Sequence, residues 1–143
     1  MLSNACKYAI RALIYLAAEH NDQNRINIRD LAASIDSPEP FTAKIMQSLA
    51  RQNIVSSVKG PNGGFYLTQQ QLHNKIIDIV YAIDGNHVLT GCGLGLKNCS
   101  DSQPCPMHNE YSSIRNQLFK ILSNNTIFSL AADLTKGETV LKT

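Results

Sequence analysis

Three of the four cysteines in this 143-residue chain fall in one stretch, Gly91 to His108, which reads GCGLGLKNCSDSQPCPMH. Six residues separate Cys92 from Cys99, five separate Cys99 from Cys105, and His108 follows after two more. Thiolates and imidazole hold soft or borderline metals, and clustered thiols also carry redox chemistry. The stretch lacks helical or strand period, is rich in Gly, Ser, Asn and Asp, and has Pro104 and Pro106 beside its last cysteine. It reads as a loop. A loop of this length inside a small domain needs something to order it, and a metal centre is physically adequate.

Composition narrows the classes. Thirteen Lys+Arg against eleven Asp+Glu leave a formal charge of +2, and the excess lies in residues 1–80. So small an excess neither demands nor excludes a nucleic-acid partner, and any phosphate contact must come from charge placement. The longest apolar runs are interrupted by Lys7, Arg11 and Glu19, short of the roughly 20 residues of a membrane span. No signal-peptide pattern opens the chain, so the expected location is the cytoplasm. In that reducing compartment, three cysteines in one loop point to metal or redox chemistry rather than a disulfide framework. No nucleotide loop, carboxylate pair or Ser, His and Asp arrangement stands out, and His20, His73 and His87 lie apart. Neither an enzyme nor a small-molecule substrate is expected.

The elements around the loop follow from periodicity. Ser3 to His20 predicts a helix capped by Ser3 or Asn4, so broadly apolar that it suggests burial on two sides, in its own domain and against a partner chain. Cys6 on this helix reads as an ordinary small core residue. After a polar turn, Asn21 to Arg25, a short helix over Arg29 to Ile35 points Leu31, Ala32 and Ile35 inward. Asp36, Ser37 and Pro38 break it, and Glu39 to Asn53 forms a third helix with Phe41, Ile45 and Leu49 as its core face and Thr42 and Met46 flanking them. Its outer face carries Pro40, Ala43, Lys44, Gln47 and Arg51, which makes the pair a helix-turn-helix candidate. Residues 54–59 and 65–68 predict two strands around the turn GPNGG, a hairpin placed where the wing of a winged helix would be. Its glycine-rich tip and Lys59 could approach a phosphate backbone or a minor groove.

Ile76, Ile79, Val80 and Ile83 predict a helix from Asn74 to Asp84 that Gly85 ends. Beyond the cysteine loop a long helix is expected from Cys105 to Ser123. There Met107, Tyr111, Ile114, Leu118 and Ile121 recur in steps of four and three, a seam suited to a symmetric homodimer. Thr126 or Asn125 caps a last short helix, IFSLAADL, and residues 135–143 form a polar, mobile tail. The fold class is mainly α with a small β-hairpin wing. A winged helix-turn-helix DNA-binding region spans 1–84, a cysteine-rich loop 85–108, and dimerisation and C-terminal helices 105–134.

The segments KYAIRALIYLA, IVSSVKGPNGGFYL and IIDIVYAIDG, followed by the three-cysteine loop, resemble the IscR/NsrR family of bacterial winged-helix iron-sulfur transcription regulators across nearly the whole sequence. The resemblance implies a dimer that binds double-stranded DNA at a palindromic promoter operator. Its binding would be controlled by a cluster that senses cluster status, redox or nitric oxide. It implies cluster ligands at Cys92, Cys99 and Cys105, with His108 as the fourth. The alternative position, a carboxylate on the partner's first helix, falls on Lys7 here. A 2Fe-2S cluster is favoured and 4Fe-4S is possible, since the gap between Cys92 and Cys99 is one residue longer than in the IscR pattern. The expected DNA-contacting residues are Lys7, Pro40, Thr42, Ala43, Lys44, Gln47, Lys59, Gly60, Asn62 and Gly63. Ala43 occupies the position where IscR-like relatives carry a discriminating glutamate. The expected dimer residues are Leu13, Tyr111, Ile114, Leu118 and Ile121. Thiol chemistry leaves two other readings open, a redox-switch repressor without metal and a zinc-stabilised winged-helix interaction module.

Overall fold

The computed structural model describes residues 1–21 and 24–143. Asp22 and Gln23, inside the expected polar turn, lie outside the described residues. The first helix, α1 (Asn4–Ala18), is the spine of the molecule and packs against four later helices. The Ser3 side chain caps it by accepting the Cys6 N–H at 3.0 Å, satisfying a donor with no partner inside the helix. Cys6, Ala9, Ala12, Leu13 and Leu16 are buried along its length.

Leu13, expected at a dimer interface, is fully buried in the chain's own core. The broad apolar surface of α1 is largely consumed by helices of the same chain. Truncation here removes a large side chain from a closed core, so Leu13→Ala should lower unfolding stability by about 2–5 kcal/mol. Urea denaturation would check this; a loss below about 1 kcal/mol would mean that the site relaxes or is not core.

Helix α2 (Ile28–Ser34) is capped by Asn27, whose Oδ1 accepts the Asp30 N–H at 2.9 Å. Asp36 in the left-handed region (φ 53°) and Pro38 make the turn into α3 (Glu39–Arg51). Strands β1 (Ser56–Val58) and β2 (Gly64–Tyr66) pair antiparallel with Ser57 opposite Phe65. Both are shorter than their β-branched composition predicts. Ile26 adds a further rung, exchanging backbone hydrogen bonds with Phe65 at 3.0 and 2.8 Å, so the wing is anchored in front of α2. Buried Gln71, on the short α4 (Gln69–Leu72), fixes the base of the hairpin. Its Oε1 accepts from the Thr68 N–H at 2.9 Å and the Ser56 hydroxyl at 3.1 Å, and its Nε2 donates to the Asn53 carbonyl at 3.1 Å.

Helix α5 (Ile76–Asp84) ends at Gly85, whose φ of 73° favours glycine, as its position in the sequence predicts. A single turn, α6 (His87–Thr90), leads into the cysteine loop. The long helix α7 (His108–Asn124) starts three residues later than expected, because the Cys105 carbonyl accepts the His108 N–H at 3.0 Å in a turn that precedes it. Thr126 caps α8 (Ile127–Thr135), which packs along α1. The N-termini of α5 and α8 are stitched together by Ile76 N–H to Asn125 O and Ile127 N–H to Asn74 O, both 3.0 Å. The architecture is thus mainly helical with a two-stranded wing. Among the described residues no helix is long and apolar enough to cross a membrane.

Candidate metal centre and nucleic-acid interface

The loop between α6 and α7 folds back on itself. The Sγ atoms of Cys92, Cys99 and Cys105 lie within 4.8 Å of one another, with Cys92 and Cys105 3.6 Å apart. All three are free thiols. Backbone amides point at two of the sulfurs: Leu94 N–H at Cys92 and Cys105 N–H at Cys99, each at 3.4 Å. Such donors favour thiolate over thiol. The Cys99 thiol is held down at about 7, first by the Cys105 amide and then by His108. Cys105 is pushed up by burial. Cys6 is the contrast: burial, reinforced by the Asp84 carboxylate, raises its thiol to about 12 and leaves it an inert core residue.

His108 Nδ1 lies 3.1 Å from Cys99 Sγ, while Nε2 donates to Asp101 Oδ1 at 2.9 Å. The hydrogen bonds to Cys99 and then Asp101 raise the His108 pKa above its ordinary value. An imidazole whose outer nitrogen donates to a carboxylate turns its other nitrogen inward, the arrangement usual for histidine ligands. Asp101 was not among the residues expected from sequence, although its place two residues after Cys99 was visible. Together these groups line a cavity of about 290 Å³. Three convergent thiols, amides aimed at sulfur and an adjacent imidazole fit a soft metal or an iron-sulfur cluster.

Tyr111, expected at the dimer seam, lines this cavity instead. A Cβ at Gly93 would fall 2.7 Å from its ring, so tyrosine and glycine pack face to face. Leu118, from the same expected set, is half-buried against the chain's own core. Ile114 and Ile121 on α7 are exposed at 54% and 60%, as is Met107 at its N-cap at 47%, and the three recur every seven residues.

On α3 of the helix-turn-helix, Ile45 and Leu49 are buried as the sequence predicts, with Met46 beside them, and Phe41 alone of the expected core face lies outside it. Thr42, placed with the DNA-contacting residues, is fully buried; its hydroxyl donates to the Pro38 carbonyl at 2.8 Å and pairs with the Ser37 hydroxyl. Thr42 therefore holds the turn and cannot reach a ligand. Phe41, expected in the core, is 40% exposed and meets Tyr8 edge-on with centroids 5.8 Å apart. Pro40, Lys44 and Gln47 are exposed on α3, Ala43 is half-buried, and Lys7 is exposed on α1. Lys59, Gly60 and Asn62 are exposed at the wing tip, with Gly63 half-buried at its base. Gln47, Arg51, Lys59, Gly60 and Gly63 line one groove of about 720 Å³ between α3 and the wing. Arg51 thereby joins this groove from the outer face on which its sequence position places it.

A winged helix whose adjoining loop brings together three cysteines able to bind a metal defines a class of transcription regulator. Residues 2–133 match the Rrf2 family, described as iron-dependent transcriptional regulators, and the chain belongs to that family. It is 31% identical over 132 residues to an HTH-type transcriptional regulator of Aquifex aeolicus, covering 91% of this chain and 90% of that one. It is 25% identical over 142 residues to the HTH-type transcriptional regulator NsrR of Geobacillus kaustophilus, covering 99% and 96%. The fold is similar to that of CymR, the global cysteine regulator of B. subtilis, with a TM-score of 0.75 at 19% identity over 92% and 96% of the two chains.

Proposed function

We propose that this protein is a homodimeric, cytoplasmic, DNA-binding regulator whose operator affinity depends on an iron-sulfur cluster held by Cys92, Cys99, Cys105 and His108. The observation that supports it best is the convergence of three free thiols within 4.8 Å in a loop that otherwise lacks a core. A 2Fe-2S cluster is the preferred occupant, and when bound it supplies a one-electron redox centre that oxidants or nitric oxide could address. The chain's own residues do the rest. The three cysteines and His108 bind, Asp101 orients the imidazole, and the amides of Leu94 and Cys105 stabilise sulfur charge.

Coupling to DNA has a physical route. The Asp84 carboxylate, at the C-terminal end of α5 and one turn before the loop, accepts the Ser3 N–H at 2.9 Å and also the Ser3 hydroxyl, holding the N-terminus of α1. Helix α1 packs on α3, and α7 packs on α5 and α6. A change in loop order would move these contacts, and with them the spacing of two α3 helices across a dimer formed by the exposed stripe of α7. The palindromic operator expected from sequence belongs to this dimer.

The cluster part is tested by anaerobic purification. Visible absorbance with iron and sulfide in the protein is expected; a colourless protein with one equivalent of zinc overturns it. The thiol-switch alternative has its own support in the 3.6 Å approach of Cys92 and Cys105. A disulfide between them in oxidised, cluster-incompetent wild type would favour it. For DNA, Lys44→Ala and Lys59→Ala should each weaken binding to a cognate promoter fragment and lower the log-affinity versus log-salt slope by about one. Unchanged affinity in both variants would remove α3 and the wing from the interface.

A further inference from the structure

Among the described residues that line the cysteine cavity, Arg115 is the sole permanent cation. It stands seven residues after His108 on α7, one face of the helix with Tyr111 and Ser112, so all four side chains turn to the loop. Its Nη1 donates to the Gly91 carbonyl at 2.6 Å, immediately before Cys92. Its guanidinium lies 5.7 Å from the centroid of the Tyr111 ring, and that ring packs on Gly93, immediately after Cys92. The Arg115 Nε is buried and has no hydrogen-bond partner. A buried, charged N–H without a partner is costly unless a negative group sits opposite it.

We infer that Arg115 positions Cys92 and supplies the charge that opposes the thiolates, and so governs how firmly the centre is held and how readily it takes up an electron. This rests on the iron-sulfur reading above. The Gly91 and Tyr111 contacts fix the backbone on both sides of one ligand. The guanidinium is half-buried in the wall of the cavity, where its effect on an anionic centre is larger than at a fully exposed site. Addition of one electron makes that centre more negative, so a nearby cation favours the reduced form.

The test uses full-length protein reconstituted anaerobically with iron and sulfide, as wild type, Arg115→Lys and Arg115→Gln, with matched circular dichroism confirming the fold. Two quantities are read: the rate of iron release to a colorimetric ferrous chelator, and the midpoint potential for one-electron reduction by dithionite with mediators. Arg115→Gln is expected to release iron about tenfold faster, the usual scale for an outer-shell partner, and to show a lower potential. Arg115→Lys, which keeps the charge and loses the planar fork, should restore the potential while releasing iron faster than wild type. A potential for Arg115→Gln equal to that of wild type overturns the inference whatever the release rate. Wild type that takes up neither iron nor sulfide overturns the cluster reading itself, so the two failures are distinguishable.

Discussion

Replacing Cys105 with Ser should reduce iron and sulfide bound after anaerobic reconstitution to about one-tenth of wild type or less, and the protein should lose its visible bands. Cys105 is the most buried of the loop thiols, 8% exposed, and it contacts Cys92, Cys99 and His108. Its Sγ is 3.6 Å from Cys92, its N–H points at Cys99, and its carbonyl accepts the N–H of His108 to start α7. Serine retains the shape and backbone bonds while exchanging a soft sulfur for a hard hydroxyl that does not ionise near neutral pH. The loss is therefore of ligation and not of fold. Cys6→Ala is the matched control, because Cys6 lies in the helical core outside the three-thiol group. Full iron content in Cys105→Ser would exclude this cysteine as a ligand. Loss in both variants would point to unfolding, which thermal denaturation would reveal.

The second large effect is expected at the wing. A Cβ at Gly63 would lie 2.1 Å from the Val58 carbonyl oxygen and 2.9 Å from that of Gly60, both backbone atoms of the same hairpin. No rotamer relieves a clash with backbone, so Gly63→Ala must open the tip that the Gly63 N–H to Gly60 O bond closes at 2.9 Å. The adjacent Gly64 gives no slack: its φ is 153°, and its missing Cβ leaves room for the Ile26 carbonyl. Deforming the tip costs about 1–3 kcal/mol, and if the closed tip is what docks on DNA, affinity falls about 5- to 100-fold. The wing contributes little to the core, so the melting temperature should move by only a few degrees. Gel-shift titration beside thermal melting separates the two. Wild-type DNA affinity in a well-folded Gly63→Ala protein would show that the tip does not touch the duplex.

Much of this was legible from residue order. Ser3, Gly85 and Thr126 announced helix ends because capping is a local transaction between a side chain and backbone a few residues away. The helix, helix, hairpin order followed from periodicity and from GPNGG. The short α4 and α6 were not, since single turns carry too few residues to show a period. Thr42 and Phe41 show the limit on longer helices. Ile45 and Leu49 lie inside as their recurrence predicts, but periodicity places the edge of an inner face only to within about one residue, or 100° of the helix wheel, and here Tyr8 on α1 offered Phe41 a half-exposed berth while Thr42 turned inward to bond Pro38.

The sequence alone singled out the candidate ligands, because three thiols and a histidine fall within 17 residues of a stretch that has no helical or strand period; the fold brought the three sulfurs within 4.8 Å of one another. The sequence also determined that a DNA-reading motif precedes them, since that motif is built from neighbours in the chain. Only the tertiary structure decided what surrounds the ligands. Arg115 reaches Gly91 across 24 residues and Asp84 reaches Ser3 across 81. Contacts of that separation leave no local pattern, because they depend on how helices pack and not on what each helix contains. The same holds for α7, whose apolar seam reads as one surface in sequence. In the fold it divides among the cysteine cavity at Tyr111, the core at Leu118 and an exposed stripe at Ile114 and Ile121.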